Sequence, residues 1–441
     1  MSKINQNVID RLIKLLMKFI ERKTGSLSIK NRSNAELIHY YYEILRYWNK
    51  INYILKRKFK FTNKSHATGS YTVAKYLIAI YRIVWEKENA IKVGNELSFV
   101  PAELRLIKKL ENFSWDEALF GKKEVESLSL EIAIPTFSIK RLATVMDTET
   151  IRANIKQMDS KEGSKSLFFR FNEISFEKNK NLQKSIELIL KDLRQQGINV
   201  KQDSDFSEVY YTGLRSKKKL ILNRFYNEGQ IFLQDKASFA VTHILEPQAN
   251  ELICDMCAAP GVKTSNISQL SRNQAIIIAN DFSKKRLIPM KQLLEKLNVK
   301  NTNLMNSDGI KLPIRFTNFF DKILLDAPCT GSGTFSTNPE LKWRQNEGFL
   351  HQNLLLQEKL LQSAINLLKP SGVLVYSTCS LYPEEGEYQV LKVLNQFKPM
   401  ELPKWFSPSY KVDGQHIPGT GRLFPATHHT KGFFIAKFKK K

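Results

Sequence analysis

The sequence predicts an α/β protein built around a doubly wound sheet, preceded by a small α+β subdomain and an all-helical N-terminal domain. Apolar residues recur at helical spacing over the first 150 residues. From residue 250 onward, short apolar runs alternate with helical stretches. This alternation is typical of βαβ units, whose parallel sheet is covered by helices on both faces. The segment between the two mixes both patterns.

The helical domain is expected over residues 1–150. Its first part, residues 1–64, is basic, with 15 Lys and Arg against 4 Asp and Glu. Asn34 is placed to cap the second helix, and a further helical stretch covers Val73–Trp85. Two interpretations of the basic surface stay open, an RNA-facing surface and an ordinary solvated helix surface. The apolar positions that share a face in the first two helices are Leu12, Leu15, Leu16, Phe19, Leu37, Tyr41, Ile44, Leu45 and Trp48.

A small α+β subdomain is expected over residues 160–235. The polar segment 159–166 contains Gly and Ser and is typical of a linker or loop. Strand-like runs at Leu167–Phe171 and Lys219–Leu222 flank one helical stretch, Leu182–Gln196.

The third domain, residues 236–441, is expected to hold the doubly wound sheet. Ligands of such sheets bind at the carboxyl ends of the strands, so the residues that follow each strand are candidates for a site. The predicted strands are Leu252–Cys257, Ala275–Ala279, Lys322–Leu325, Val373–Tyr376 and Phe433–Phe438. The predicted helices are Ser283–Leu297, Phe349–Leu368 and Glu385–Phe397.

The chain is strongly basic, with 68 Lys and Arg against 43 Asp and Glu and a formal charge of +25. Such a charge indicates a polyanionic partner and says nothing about the fold. Nucleic acid is the first candidate and an anionic membrane surface the second. No run of about 18 uncharged apolar residues occurs, so we expect no membrane-spanning segment.

The four cysteines all lie in or beside apolar runs of the second half of the chain, which is not the pattern of a secreted disulfide framework. The start of the chain lacks the apolar core and cleavage site of a signal peptide, so a cytoplasmic protein is expected. Cys254 and Cys257 form a C-x2-C pair, but no second pair follows at finger spacing. We therefore expect no metal site and assign Cys254 to the core.

Acidic residues and cysteines follow the predicted strands at corresponding places. Asp281 follows the strand Ala275–Ala279, and Asp308 ends the next segment. Asp326 and Cys329 follow the strand Lys322–Leu325, and Cys379 follows Val373–Tyr376. The carboxyl ends of parallel strands meet at one edge of a sheet, so these side chains should line one crevice. Two thiols at one crevice weigh against the usual interpretation of cysteine as an inert core residue.

The loop after the first strand, Ala258-Ala-Pro-Gly261, is small enough for a ligand to approach its backbone closely. Asp281 suits a ribose diol and Asp308 an adenine amino group, which together favour an adenosyl ligand. Each also has a plainer interpretation, because Asp281 is placed to cap the next helix and Asp308 lies in a Gly-containing turn. The sequence has no Gly-rich phosphate loop with Lys-Ser/Thr, which disfavours a nucleoside triphosphate.

From about residue 165 to its end, the chain resembles the RsmB/NOP-type (Sun) family of RNA cytosine-5 methyltransferases. Asp255-Met-Cys-Ala-Ala-Pro-Gly-Val-Lys-Thr264 resembles the methionine-binding loop of that family. Asp326-Ala-Pro-Cys-Thr-Gly-Ser-Gly333 and Ser377-Thr-Cys-Ser380 resemble its two cysteine motifs. Further matches, in chain order, are Arg170-Phe-Asn172, Gln234-Asp-Lys-Ala-Ser238, Arg422-Leu-Phe-Pro425 and Gly432-Phe-Phe-Ile-Ala436.

The resemblance implies a Rossmann-like methyltransferase fold and transfer of a methyl group from S-adenosyl-L-methionine to carbon 5 of a cytosine in RNA. It implies that Cys379 adds to carbon 6 and that Cys329 assists release. Asp326 is expected to bond the N3/N4 edge of the base, with Lys263 orienting the base or approaching the reacting centre. The residues implied to bind the methyl donor are Cys257, Ala258, Ala259, Pro260, Gly261, Val262, Lys263, Asp281, Asp308 and Asp326.

The chain departs from the family pattern at three places, and none of them removes a catalytic group. Val262 stands where a second glycine is usual, Gly386 where an asparagine is frequent, and Lys431 where an acidic residue often precedes Gly-Phe-Phe. The first 150 residues, including Tyr41-Tyr-Glu-Ile-Leu-Arg-Tyr47, resemble more loosely the helical NusB-like RNA-binding domain of bacterial RsmB-type enzymes.

The NusB-like N-terminus favours ribosomal RNA as the substrate, transfer RNA stays open, and a monomer is expected. A non-catalytic RNA-binding ribosome assembly factor is an alternative, but it predicts loss of Cys379 or Asp326, and both are present. A dehydrogenase is disfavoured because no GxGxxG turn follows the first strand. A membrane-surface protein held by basic amphipathic helices stays open.

Overall fold

The computed structural model describes most of the chain as two compact units. Of the predicted loop at 159–166, residues 159–165 lie outside the described residues, and Ser166 begins the first strand. Within the described ranges, no helix combines the length and the apolar character needed to cross a bilayer. The described ranges are 4–21, 34–59, 69–119, 121–158, 166–176 and 181–441. The first unit comprises Met1–Thr144 and Phe335–Asn346, and the second comprises Val145–Thr334 and Glu347–Lys441.

The first unit is helical, as the apolar periodicity predicts. Asn34 caps its second helix, accepting from the Leu37 N–H at 2.9 Å. The predicted apolar faces form the core, in which Leu16, Leu37 and Ile44 are fully buried. The helices are α1 Gln6–Ile20, α2 Ala35–Arg46, α3 Trp48–Phe59, α4 Ser70–Val84, α5 Ala90–Glu96, α6 Pro101–Lys108, α7 Trp115–Leu119, α8 Glu124–Glu131 and α9 Thr136–Leu142.

A short segment from the second half of the chain, Phe335–Asn346, packs into this helical unit. The Trp343 indole N–H donates to the Leu45 carbonyl at 2.5 Å, and the buried Lys342 ammonium donates to the Arg46 carbonyl at 3.4 Å. These two donors bond carbonyls in the last turn of α2, where the helix makes fewer backbone bonds of its own. The sequence did not predict this packing, because a segment this short has no periodicity that points to a distant partner.

A small α+β subdomain opens the second unit, and it contains one correction to the sequence prediction. Lys219–Leu222 is helical rather than a strand, because only Leu220 of that run is buried and Leu222 is 69% exposed. A four-residue run is too short to distinguish the two periods. The helices here are α10 Thr148–Met158, α11 Leu182–Gln195, α12 Lys217–Leu222, α13 Arg224–Asn227 and α14 Lys236–His243. The strands β1 Ser166–Phe171, β2 Lys201–Gln202, β3 Val209–Gly213 and β4 Ile231–Leu233 form an antiparallel sheet in the order β2-β3-β1-β4.

The large sheet follows, and its order is β11-β14-β15-β9-β8-β5-β6-β7, with β10 paired to β15. Its strands, together with the separate β12–β13 hairpin, are β5 Leu252–Asp255, β6 Ile276–Asn280, β7 Thr302–Met305, β8 Phe320–Asp326, β9 Leu368–Thr378, β10 Phe397–Pro399, β11 Ser407–Pro408, β12 Lys411–Val412, β13 Gln415–His416, β14 Thr420–Leu423 and β15 Phe433–Lys440. The remaining helices are α15 Val262–Leu270, α16 Lys284–Lys296, α17 Glu347–Leu367, α18 Glu387–Leu391 and α19 Pro425–His428.

Successive side chains of the central strands point to opposite faces of this sheet. Ile253 belongs to one core cluster, with Ile267 of α15 and Met290 of α16. Cys254, the next residue, belongs to another cluster, with Leu361 of α17. Helices therefore cover both faces of a Rossmann-like sheet, as predicted.

The sheet is mixed rather than wholly parallel. β5 to β9 pair in parallel, whereas β15 runs antiparallel to β9, and β14 runs antiparallel to β15. The apolar run at Phe433–Phe438 predicts a strand but not its direction, which explains the error. The predicted helix Glu385–Phe397 is realised only as the short α18, since 3-10 turns flank it at Pro383–Glu385 and Leu394–Gln396.

Candidate active site

The two predicted reactive cysteines lie side by side. β8 and β9 are parallel neighbours, with Asp326 opposite Ser377, and the loop after each strand holds one cysteine. The sulfur of Cys329 lies 3.2 Å from the sulfur of Cys379. Both side chains are half-buried, so the pair remains partly accessible to a ligand.

An ion pair fixes the other two predicted catalytic residues. Lys263 Nζ lies 2.7 Å from Asp326 Oδ2, and the Ser377 hydroxyl donates to Asp326 Oδ1 at 2.7 Å. Burial lowers the pKa of the Lys263 ammonium, but Asp326 and Cys379 raise it by more, so the net shift is upward. The Lys263 ammonium is therefore held within electrostatic reach of the Cys379 sulfur.

The environment of Cys329 keeps that residue as a thiol. Its hydrogen bond with Cys379 and its burial both raise its pKa well above the ordinary value. A neutral thiol donates, while a deprotonated sulfur accepts and attacks. The arrangement can thus present two sulfurs, in contact with each other, to the same small ring.

The glycine loop leads into α15 in a way that suits the carboxylate of a bound amino acid. Gly261 has a φ of +96°, which favours glycine, and an added Cβ would meet Met290 Cγ at 2.8 Å. Gly261 is the N-cap of α15 and has no side chain, so it accepts no side-chain hydrogen bond from the first N–H groups of that helix. Val262 begins the helix and supplies one of these amides in place of the usual glycine. A helix N-terminus of this kind attracts an anion.

Asp281 does not cap the next helix, because Ser283 is the N-cap of α16 and Asp281 accepts from the N–H of Ser283, which precedes the first residue of that helix; its contact with a ribose stays a prediction. It is buried at the end of β6, where it accepts from the Ala259 N–H at 3.1 Å and from the Ser283 N–H at 3.0 Å. Arg286, which sequence reasoning missed, pairs with it at 3.0 Å and donates to the Ala259 carbonyl. A carboxylate has about four lone-pair sites, so one remains for a ribose hydroxyl.

Asp308 is exposed after β7 and accepts from the Ile310 N–H at 3.0 Å, which is the turn role that sequence reasoning considered. Its loop is tied to the end of β6, because the Asn306 side chain donates to the Asp281 carbonyl at 2.8 Å. The structure thus brings Asp308 and Asp281 to the same edge of the sheet. Contact of Asp308 with adenine stays a prediction.

Asp255, at the end of β5, was not among the predicted site residues. It is buried and accepts from the Thr264 hydroxyl at 2.7 Å, while its Oδ1 has no hydrogen-bond partner among the residues that the structure describes. Burial raises its pKa to about 7, with Asp326 adding to the rise and Thr264 opposing it. An orphaned buried carboxylate oxygen next to the glycine loop fits a cationic ligand group such as the ammonium of methionine.

The remaining two cysteines have different surroundings. Cys254 is fully buried on β5, as expected of a core residue, and burial raises its pKa. Cys257 lies in a turn and not on the predicted strand, because β5 ends at Asp255 and the small residues that follow turn the chain towards α15. Among the described residues, no group of three or more His, Cys, Asp or Glu side chains is arranged to hold a metal ion.

Sequence reasoning also missed the buried acidic residues after the second cysteine motif. Glu385 and Glu387 are both fully buried, and Arg422 pairs with Glu387 at 2.6 Å. Arg422 also donates to the carbonyl of Ser380, the neighbour of Cys379, at 3.0 Å. The signal in the sequence is the cluster of glutamates between two apolar segments. Carboxylates buried by such segments need a cation or a hydrogen-bond donor as partner.

A large part of the second unit matches a known protein family. Residues 242–439 match the model of a family described as 16S rRNA methyltransferase RsmB/F. All of the predicted donor-loop, acidic and cysteine site residues lie within this matched segment.

Two relatives illustrate the range of RNA substrates among similar proteins. The chain is 38% identical over 227 residues to the 28S rRNA (cytosine-C(5))-methyltransferase of Mus musculus, a match that covers 49% of this chain and 28% of that protein. It is 34% identical over 224 residues to the tRNA (cytosine(49)-C(5))-methyltransferase of Pyrococcus abyssi, covering 49% of this chain and 72% of that protein. The chain thus spans little more than a quarter of the mouse relative.

One solved structure is similar over the full length of the chain. The crystal structure of a protein designated PH0851 superposes with a TM-score of 0.80 at 24% identity, covering 100% of both chains. At this identity the similarity shows the fold.

Proposed function

Because the chain belongs to the RsmB/NOP-type (Sun) family of RNA cytosine-5 methyltransferases, we propose that it methylates carbon 5 of a cytosine in RNA with Cys379 as the covalent nucleophile. The observation that supports this most directly is the 3.2 Å contact between the Cys379 and Cys329 sulfurs. The Lys263–Asp326 ion pair, at 2.7 Å, adds the groups needed to orient a base beside them.

The chemistry needs a covalent step because carbon 5 of cytosine is a weak nucleophile. The Cys379 thiolate forms an S–C6 bond and the C5=C6 double bond opens, which makes carbon 5 enamine-like. Asp326 bonds the N3/N4 edge by accepting from the N4 amino group, and Lys263 holds that carboxylate in place. The Lys263 ammonium supplies the positive charge that offsets the negative charge developing in the ring. S-adenosyl-L-methionine supplies an electrophilic methyl group to carbon 5.

Release requires loss of the carbon 5 proton and cleavage of the S–C6 bond. Cys329 is the residue proposed to assist this step, because its sulfur is in contact with that of Cys379. The carbon 5 proton passes to Cys329, which gives its own proton to the departing Cys379 sulfur across their contact, while the C–H bonding electrons restore the C5=C6 double bond and the S–C6 electrons return to sulfur. The residues proposed to bind S-adenosyl-L-methionine are Cys257, Ala258, Ala259, Pro260, Gly261, Val262, Lys263, Asp281, Asp308 and Asp326.

Ribosomal RNA is the proposed substrate class, with transfer RNA as the second candidate. The helical first unit, with its NusB-like pattern, favours ribosomal RNA, and relatives act on one class or the other. The basic excess should hold phosphates, so binding should weaken steeply with salt. The target cytosine must leave its stack, which favours unpaired or easily opened RNA. We place the protein in the cytoplasm as a monomer, where two neighbouring thiols stay reduced.

The test is methyl transfer from labelled S-adenosylmethionine to total RNA of a strain that lacks the protein, with bisulfite sequencing to locate the modified cytosine. The Cys379→Ala variant should be inactive, and Cys254→Ala, which removes a core thiol, should remain active. An active Cys379→Ala with an inactive Cys329→Ala would reverse the assignment. Binding of the donor without transfer to any RNA would favour the non-catalytic assembly factor.

A further inference from the structure

Glu385 connects the two cysteine loops through its side chain. It lies in the 3-10 turn Pro383–Glu385 after the second cysteine motif, and none of its surface is exposed. Its carboxylate accepts from the backbone N–H of Thr330 at 2.8 Å and also from the Thr330 hydroxyl. Thr330 is the residue directly after Cys329, so both bonds act on the loop that holds the first sulfur.

The main chain of Glu385 is attached to the strand that leads to the second sulfur. Its carbonyl accepts from the Tyr376 hydroxyl at 2.9 Å and from the Thr378 hydroxyl at 3.3 Å. Both residues belong to the end of β9, and Thr378 directly precedes Cys379. One residue is therefore bonded to the immediate neighbour of each sulfur.

The remaining contacts make Glu385 a rigid bridge. Gln357 of α17 donates to the Glu385 carboxylate at 3.0 Å and to the Pro328 carbonyl at 2.8 Å, which ties the same helix to the first cysteine loop. Burial raises the pKa of Glu385, while bonds from Ser380 and Thr330 oppose the rise. Charge-assisted bonds of this kind hold their geometry more strongly than neutral ones.

We propose that Glu385 is a positioning residue that sets the separation of the Cys329 and Cys379 sulfurs, and that its catalytic consequence rests on the proposed function. It touches neither sulfur and acts through Thr330 and the end of β9. The two thiols take separate parts in attack and release, so a shift of one loop relative to the other changes the balance between those steps.

The test measures sulfur positioning without RNA or methyl transfer. The protein is equilibrated with glutathione and glutathione disulfide. Forming the Cys329–Cys379 disulfide removes two protons and two electrons from the thiols, and these reduce one glutathione disulfide to two glutathiones. The equilibrium constant, read from the peptide that joins Cys329 to Cys379, gives the effective concentration of one thiol at the other.

Glu385→Gln keeps the shape of the side chain but removes the charge, and it should lower this effective concentration by about tenfold, the scale of one charge-assisted bond. Glu358→Gln is the matched control, since Glu358 lies next to Gln357 on α17, is exposed and pairs with Lys392. The control should equal the wild type. An effective thiol concentration in Glu385→Gln that equals or exceeds the wild-type value would overturn the proposal.

A second variant guards against misfolding. Thr330→Val removes only the hydroxyl that donates to Glu385 and should lower the effective concentration in the same direction but by less, with the melting temperature of each variant measured alongside. In the transfer assay, Glu385→Gln should raise the ratio of trapped RNA adduct to methylated product. If Glu385→Gln lowers the effective concentration of one thiol at the other but the wild type transfers no methyl group to RNA, the proposed function is refuted. The positioning role of Glu385 then still stands.

Discussion

The sulfur of Cys329 lies 3.2 Å from the sulfur of Cys379, although 50 residues separate them in the chain. Their strands, β8 and β9, are parallel neighbours, so the loops that follow both strands leave the sheet at the same edge. Two sulfurs in contact lie within reach of one small ring, which suits the separate attack and release roles proposed for them.

Cys329→Ala should trap a covalent adduct between the protein and its RNA. Cys379 can still attack, but the residue that assists release is gone, so the intermediate accumulates. A denaturing gel with labelled RNA should show a shifted band that Cys329→Ala/Cys379→Ala lacks. If Cys329→Ala gives no shifted band on an RNA that the wild type methylates, the release role is wrong.

Lys263→Met and Asp326→Asn should each lower the rate of methyl transfer by about 100-fold, and the double variant should be little worse than either single one. The ion pair at 2.7 Å acts as one unit, so its two ends are not independent. Single-turnover kinetics of all four proteins provide the cycle. Additive losses in the double variant would show that the two residues act separately.

Asp308→Ala should weaken binding of S-adenosylmethionine by about tenfold, the effect of losing one good hydrogen bond to adenine. Asp308 is exposed and also accepts from the Ile310 N–H, so the competing outcome is a local change in a turn with unchanged affinity. Isothermal titration calorimetry separates the two. Glu295→Gln, an exposed acidic residue on α16, is the control and should bind the donor normally.

Asp255 should make the stability of the protein depend on pH. Burial raises its folded pKa from 3.8 to about 7, so between these values the folded protein holds a proton that the unfolded chain has released. The free energy of unfolding therefore falls as pH rises through this range and levels above it, by on the order of a few kcal/mol. Urea unfolding of the wild type and of Asp255→Asn, at pH 5 and pH 8, measures the difference.

In that comparison Asp255→Asn should lose much less stability between the two pH values than the wild type does. Equal losses in the two proteins would mean that Asp255 does not titrate in this range. The difference between the proteins is the relevant quantity, because other groups titrate in both.

Arg422→Met should lower the free energy of unfolding by roughly 3–5 kcal/mol, because it leaves the Glu387 carboxylate buried without its partner. Both side chains of this pair have 0% exposure and lie 2.6 Å apart. The double variant Arg422→Met/Glu387→Met should recover most of the loss, since neither charge is then buried. Equal destabilisation in the single and the double variant, by chemical denaturation, would show that packing rather than charge is responsible.

The sequence by itself predicted many of the candidate site residues. The apolar runs placed Asp281, Asp326, Cys329 and Cys379 after strands, and parallel strands bring such positions together. Ordered motifs then added the glycine loop and the resemblance to a family. These features are local, because strand and helix periods and short motifs are visible within a few residues.

Tertiary structure decided the features that depend on distant partners. The direction of β15, the helical state of α12 and the packing of Phe335–Asn346 into the helical unit each follow from which surface buries a short apolar segment. The raised pKa of Asp255 and the bridge made by Glu385 likewise exist only after burial removes water and long-range neighbours replace it. A local pattern specifies a type of element, whereas position and protonation are properties of the packed environment.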